Sequence, residues 1–251
     1  MPYAAAPDGT SIHYSLDGPQ DAPVLMLSNS LGVGLGMWDP QVSALSGFRL
    51  LRYDTRGHGL SGVPAGEYRL EKLGADALAL LDALGVERAD FCGASMGGAI
   101  GQWLAVNAPD RVGRLVLAGT AAIFGTPDMW SQRMATALRD GMGALAPAVL
   151  DRWFTAGFRE REPAAVKHVE AMLLACPTVG YAGCCAALRD IDLRADLGRI
   201  AAPTLVIGGV HDQAAPPERV RELADGIAGA SLTMLDSAHL PNIEMAGAFN
   251  A

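Results

Sequence analysis

A chain of 251 residues, half of them hydrophobic and 18% charged, is long and apolar enough to bury a sizeable core and is not a disordered segment. Its formal net charge of −8 argues against nucleic acid as a partner, because neutralising phosphates needs an excess of Lys and Arg. The four cysteines, Cys92, Cys176, Cys184 and Cys185, have neither Cys-x-x-Cys spacing nor a disulfide pattern, so they read as reduced thiols and no metal site is expected.

Residues 1–8 hold no basic stretch followed by an apolar run, so no secretory leader is read there. Nor does any apolar run approach the ~20 residues of a membrane span. A cytoplasmic location without a membrane partner is the expectation. Strands are predicted at 11–16, 24–28, 48–53, 89–92, 112–118, 204–208 and 231–235. Helices are predicted at 70–84, 96–107 and 217–227. Short apolar strands alternating with helices predict an α/β chain with a mostly parallel central sheet and helices on both faces. One stretch, from about 121 to about 189, has helical periodicity and no strand. It reads as a helical cap inserted between two strands of a single domain spanning 1–251. The last helix, starting near Glu244, is expected to be short, because the sequence ends at Ala251. In open parallel sheets ligands bind beyond the carboxyl ends of the strands, so the chemistry is expected in the loops that follow them.

One such loop is Gly93-Ala94-Ser95-Met96-Gly97-Gly98, between an apolar strand and a helix. Gly-x-Ser-x-Gly in that setting is the pattern of a nucleophile held on a tight turn, where glycines let neighbouring backbone pass close by. Ser95 is the candidate nucleophile. The N–H of Met96, at the positive end of the following helix, is placed to face a developing oxyanion.

Of five histidines, only His239 lies in the loop after the final strand, which makes it the candidate general base. His58, in Asp54-Thr55-Arg56-Gly57-His58-Gly59, reads as a residue that holds its own loop. Two aspartates compete as the acid that orients His239. Asp236 is so near in sequence that it would have to fold back to reach the far imidazole nitrogen. Asp212 follows the neighbouring strand and can approach from the side, so it is the expected acid. The order Ser95, Asp212, His239 follows the chain order of α/β-hydrolases.

Over essentially its whole length the sequence resembles the α/β-hydrolase superfamily. Within it, Ser28-Asn29-Ser30-Leu31-Gly32, Tyr53-Asp54-Thr55-Arg56-Gly57-His58-Gly59-Leu60-Ser61 and Ser237-Ala238-His239-Leu240-Pro241-Asn242-Ile243-Glu244 are similar to the 3-oxoadipate enol-lactonases of aromatic catabolism. The resemblance implies a second oxyanion N–H from Leu31 and a Ser-His-Asp acyl-enzyme mechanism without metal or organic cofactor. It also implies a small anionic lactone as substrate. Among the cap arginines, Arg133 stands one helical turn from Trp130 and is the candidate anchor for the substrate carboxylate. Trp130 and Trp153 are the candidate walls of the pocket. The alternatives are a carboxylesterase, a C–C bond hydrolase or a cofactor-free perhydrolase of the same fold, and a binding protein on an inactive hydrolase fold. Dehalogenases and epoxide hydrolases carry Asp where Ser95 stands here.

Overall fold

A computed structural model describes residues 2–251. Eight strands form one sheet in the order β1-β2-β4-β3-β5-β6-β7-β8. They are β1 (Tyr3–Ala5), β2 (Ser11–Asp17), β3 (Val24–Ser28), β4 (Arg49–Tyr53), β5 (Ala89–Ala94), β6 (Val112–Ala118), β7 (Thr204–Gly209) and β8 (Ser231–Leu235). The β1–β2 and β2–β4 pairs are antiparallel and all others parallel. β1 was not foreseen: three residues are too few for the alternation of a strand to register. The central strands are apolar without alternation because both of their faces are covered; Met26, Leu27, Leu51, Leu117 and Val206 are fully buried.

The helices that cover the sheet bury stripes at helical spacing. α1 (Asp39–Val42) is a single turn, and α2 (Leu70–Ala83) buries Leu70, Leu73, Ala77, Leu80 and Leu81. α3 (Met96–Asn107) is buried around most of its circumference, because it leaves β5 and packs against the middle of the sheet. Between β6 and β7 lie α4 (Pro127–Asp140), α5 (Met142–Trp153), α6 (Ala156–Arg161), α7 (Pro163–Ala175) and α8 (Thr178–Arg189). α4 begins at a Thr126 cap that accepts from the Met129 N–H, with Pro127 in the first helical position. α9 (Pro217–Gly226) covers β7 through Val220, Leu223 and Ala224. α10 (Pro241–Glu244) and α11 (Ala246–Asn250) are single turns near the C-terminal end. Among the described residues no single helix is long and apolar enough to cross a membrane. All four cysteines are free and buried.

Candidate active site

The loops that follow β5, β7 and β8 bring side chains together at the carboxyl edge of the sheet. Ser95 sits between β5 and α3 with φ 53° and ψ −113°, and among the described residues it is the only non-glycine with positive φ. The surrounding glycines make that turn feasible. A Cβ on Gly97 would lie 2.1 Å from the Ser28 carbonyl oxygen, and one on Gly93 would lie 2.2 Å from the Gly97 oxygen. The strained turn is held by the Ser95 N–H donating to the Ala118 carbonyl at 2.8 Å and by Thr120 Oγ1 donating to the Ser95 carbonyl at 2.7 Å.

The structure brings three of the predicted residues into one hydrogen-bonded line. Ser95 Oγ and His239 Nε2 are 2.9 Å apart, and His239 Nδ1 and Asp212 Oδ2 are 2.8 Å apart. An ionised Asp212 can only accept, which puts the proton on Nδ1 and leaves Nε2 to accept from the serine hydroxyl. The other Asp212 oxygen accepts from the N–H groups of Ala214 and Ala215, so the carboxylate cannot rotate freely. The end of β7 approaches the His239 loop closely enough that a Cβ on Gly209 would sit 2.0 Å from the Ala238 carbonyl oxygen. Asp236 is elsewhere: it is exposed and accepts from His211 Nε2 at 2.8 Å.

Leu31 lines the cavity beside Ser95 and His239, and Met96 opens α3. Among the described residues neither backbone N–H has a protein acceptor. The Leu31 loop is fastened from below. The Gly32 N–H donates to His58 Nε2 at 2.8 Å, and His58 Nδ1 faces the Arg56 carbonyl at 3.2 Å. Arg56 is itself buried and pairs through two nitrogens with Asp76, and with Asp8. Burial holds the His58 imidazole below its ordinary pKa, which keeps it neutral and able to accept from Gly32. A histidine depressed in the folded state binds its proton more readily when unfolded, so stability is complete above the unfolded value and declines as pH drops through it. Unfolding free energy is therefore expected to fall below about pH 6.5, by up to ~1.4 kcal/mol per pH unit from this group. Denaturant unfolding of wild type and His58→Gln between pH 7.5 and 5 checks this; equal slopes for the two proteins would contradict it.

Residues of α4, α5 and α8 line a cavity of about 520 Å³ beside Ser95 and His239, within the size range of small-molecule sites. Trp130, Arg133 and Trp153 all line it. The Trp153 ring stacks on His239, with centroids 6.4 Å apart. Trp130 is pinned by its indole N–H to the Phe124 carbonyl at 2.9 Å. Arg133 lies over the Trp130 and Tyr181 rings, at 5.4 and 5.5 Å, and its Nε donates to the Tyr181 hydroxyl. Sequence reasoning did not single out Arg152, which lines the same cavity. Burial, and then the positive charge of Arg133, push its guanidinium below the ordinary value. Of the cap arginines, Arg139, Arg159 and Arg189 pair with carboxylates, whereas among the described residues Arg133, Arg152 and Arg161 have no carboxylate partner, and of these three Arg133 and Arg152 line the cavity. No group of three or more His, Cys, Asp or Glu is placed to hold a metal ion among the described residues.

A strained serine after β5, backed by a buried histidine and an aspartate from the two last strands, is the arrangement of one large enzyme class. The chain belongs to the α/β-hydrolase fold family, whose model matches residues 23–246. It is 40% identical to 3-oxoadipate enol-lactonase 2 of Acinetobacter baylyi over 96% of this chain and 90% of the relative. It is 37% identical to 3-oxoadipate enol-lactonase 1 of the same organism, over 94% and 89%. The crystal structure of the enol-lactonase from Burkholderia xenovorans superposes with a TM-score of 0.97 at 50% identity, covering 99% of this chain and 96% of that one.

Proposed function

We propose that this chain hydrolyses 3-oxoadipate enol-lactone to 3-oxoadipate in the β-ketoadipate route of aromatic catabolism, through a Ser95 acyl-enzyme. The observation that carries the reading is the buried Ser95–His239–Asp212 line facing a cavity that also holds two arginines without carboxylate partners. The names of the similar proteins supply the lactone. The helices at 127–189 act as the cap that separates this cavity from bulk water.

In the first half-reaction Ser95 Oγ attacks the lactone carbonyl while His239 Nε2 takes its proton. The Leu31 and Met96 N–H groups hold the tetrahedral oxyanion, a contribution typically worth ~10²–10³ in rate per donor. Collapse breaks the ring C–O bond, and His239 returns the proton to the enolate oxygen. The tethered enol could close the ring again; its tautomerisation to a ketone removes that nucleophile. In the second half, His239 deprotonates water, which attacks the acyl carbon, and Ser95 leaves with the proton. Every proton moves through His239, and Asp212 stabilises the imidazolium each time it forms.

A lactone that carries a carboxylate approaches a protein of net charge −8, so the site needs local positive charge. Arg133 and Arg152 supply it. Arg133, stacked between two aromatic rings, presents its remaining N–H groups as a fixed fork suited to a carboxylate. Losing a charge-assisted hydrogen bond costs ~1.5–3 kcal/mol, so Arg133→Ala and Arg152→Ala are each expected to raise KM for the lactone acid about tenfold to a hundredfold. Hydrolysis of the neutral ester p-nitrophenyl acetate is expected to change about twofold or less. Equal loss on both substrates would make the arginines supports of the cap. Loss on neither would place the anchor elsewhere. A panel of the enol-lactone, p-nitrophenyl acetate and a ring-fission diketone tests the reaction itself, with the lactone expected to give the highest kcat/KM.

A further inference from the structure

Glu244 is a buried carboxylate that no cation balances. The residue is 9% exposed, and no Lys, Arg or His pairs with it among the described residues. Three protein donors replace the water it gave up. The Ala238 N–H donates to its Oε2 at 2.9 Å, and the backbone N–H and the hydroxyl of Thr155 both donate to its Oε1. Burying an unpaired charge is costly, so this set of donors keeps the carboxylate in one place.

What the carboxylate joins is informative. Ala238 immediately precedes His239. Thr155 caps α6, where its hydroxyl also accepts from the Phe158 N–H at 3.2 Å. The flanking residues make the same crossing. The Trp153 ring stacks on the His239 ring, and the Leu240 N–H donates to the Trp153 carbonyl at 3.4 Å. Two residues of the histidine loop, His239 and Leu240, thus touch Trp153 at the end of α5 directly, and Ala238 reaches Thr155 at the start of α6 through the Glu244 carboxylate.

We propose that Glu244 is a positioning residue that fastens the His239 loop to the α5–α6 junction, so that the imidazole and the Trp153 wall of the cavity hold one relative position. The proposal rests on the Ser95–His239 chemistry above, and a probe of Ser95 alone separates the two. Phosphonylation of Ser95 by a fluorophosphonate needs the activated serine and needs no contact with the anchoring arginines. Wild-type protein that fails to label would remove the underlying reading; wild-type labelling with unaffected Glu244 variants would remove only this inference.

The test compares Glu244→Ala, Glu244→Gln, Thr155→Val and the double variant Glu244→Ala/Thr155→Val, each assayed well below its own Tm. A misplacement of about 1 Å costs on the order of a hundredfold, so Glu244→Ala is expected to slow labelling and kcat for p-nitrophenyl acetate about tenfold to a hundredfold, with KM changed about twofold or less. Glu244→Gln, whose amide can accept from Ala238 and donate to the Thr155 hydroxyl but leaves the Thr155 N–H without an acceptor, is expected to recover part of the rate. Thr155→Val is expected to slow labelling about threefold, and the double variant to be no slower than Glu244→Ala, because both changes break one link. A lowered Tm with wild-type labelling rates would overturn the proposal, as would losses that multiply in the double variant. If Glu244→Ala does not fold, Thr155→Val and Glu244→Gln decide: normal labelling by Thr155→Val overturns the link, and slowed labelling at unchanged KM supports it.

Discussion

Ser95→Ala is expected to fold normally and to lose turnover of every ester or lactone substrate by a factor on the order of 10⁴–10⁶. The size of the loss follows from the geometry. The Oγ that it removes is the hydroxyl bonded to His239 Nε2, at 2.9 Å. The oxyanion N–H groups survive the substitution because they belong to the backbone, so a residual rate over water is expected to remain. The substitution adds no bulk to a site where Ser95 already has φ 53°, and alanine occupies that conformation with the same Cβ. Tm is therefore expected to shift little. Activity near the wild-type level would remove the serine from the mechanism altogether.

Asp212→Asn is expected to lower kcat on the order of 10⁴-fold, while Asp236→Asn changes it by less than about twofold. The two aspartates separate on contacts. Asp212 is 3% exposed and offers one oxygen to His239 and the other to two backbone N–H groups. An amide there presents either a donor to Nδ1, forcing the wrong tautomer, or an oxygen with no charge to stabilise the imidazolium. Asp236 meets only His211 at the surface, where an exposed pair contributes little. An inactive Asp236→Asn with an active Asp212→Asn would reverse the assignment of the acid.

How much of this could be read in advance depended on what kind of physical constraint acted on each residue. The buried parallel strand β3 is legible because its apolar run is continuous, and the predicted ranges 24–28, 112–118 and 231–235 coincide with β3, β6 and β8, although β8, at the edge of the sheet, is exposed or half-buried along its length. The serine turn was legible because close backbone approach admits only glycine at its neighbours. The choice of Asp212 over Asp236 follows from reach; Asp212 meets His239, and Asp236 meets His211 at the surface. Arginines were less legible. A sequence shows Arg133, Arg139, Arg152, Arg159, Arg161 and Arg189 as similar charges on helices, and only their surroundings separate the carboxylate-paired from the unpaired. Trp130 marked Arg133, but nothing in the sequence near Arg152 marks it as facing the same cavity. Glu244 was hidden for another reason. Its partners lie 89 residues away in Thr155 and 6 residues away in Ala238, and no spacing rule joins such contacts.

Whether Ser95 opens an enol-lactone at this site is read from steady-state turnover of 3-oxoadipate enol-lactone by the purified protein, followed by loss of lactone and appearance of 3-oxoadipate, with Ser95→Ala run alongside. Saturable hydrolysis is expected, with kcat/KM of about 10⁴–10⁸ M⁻¹s⁻¹, the ordinary range for an enzyme on its own substrate, and essentially none in Ser95→Ala. Brisk cleavage of p-nitrophenyl acetate with no turnover of the lactone would contradict it, leaving a serine esterase whose acid-binding arginines serve a different anion.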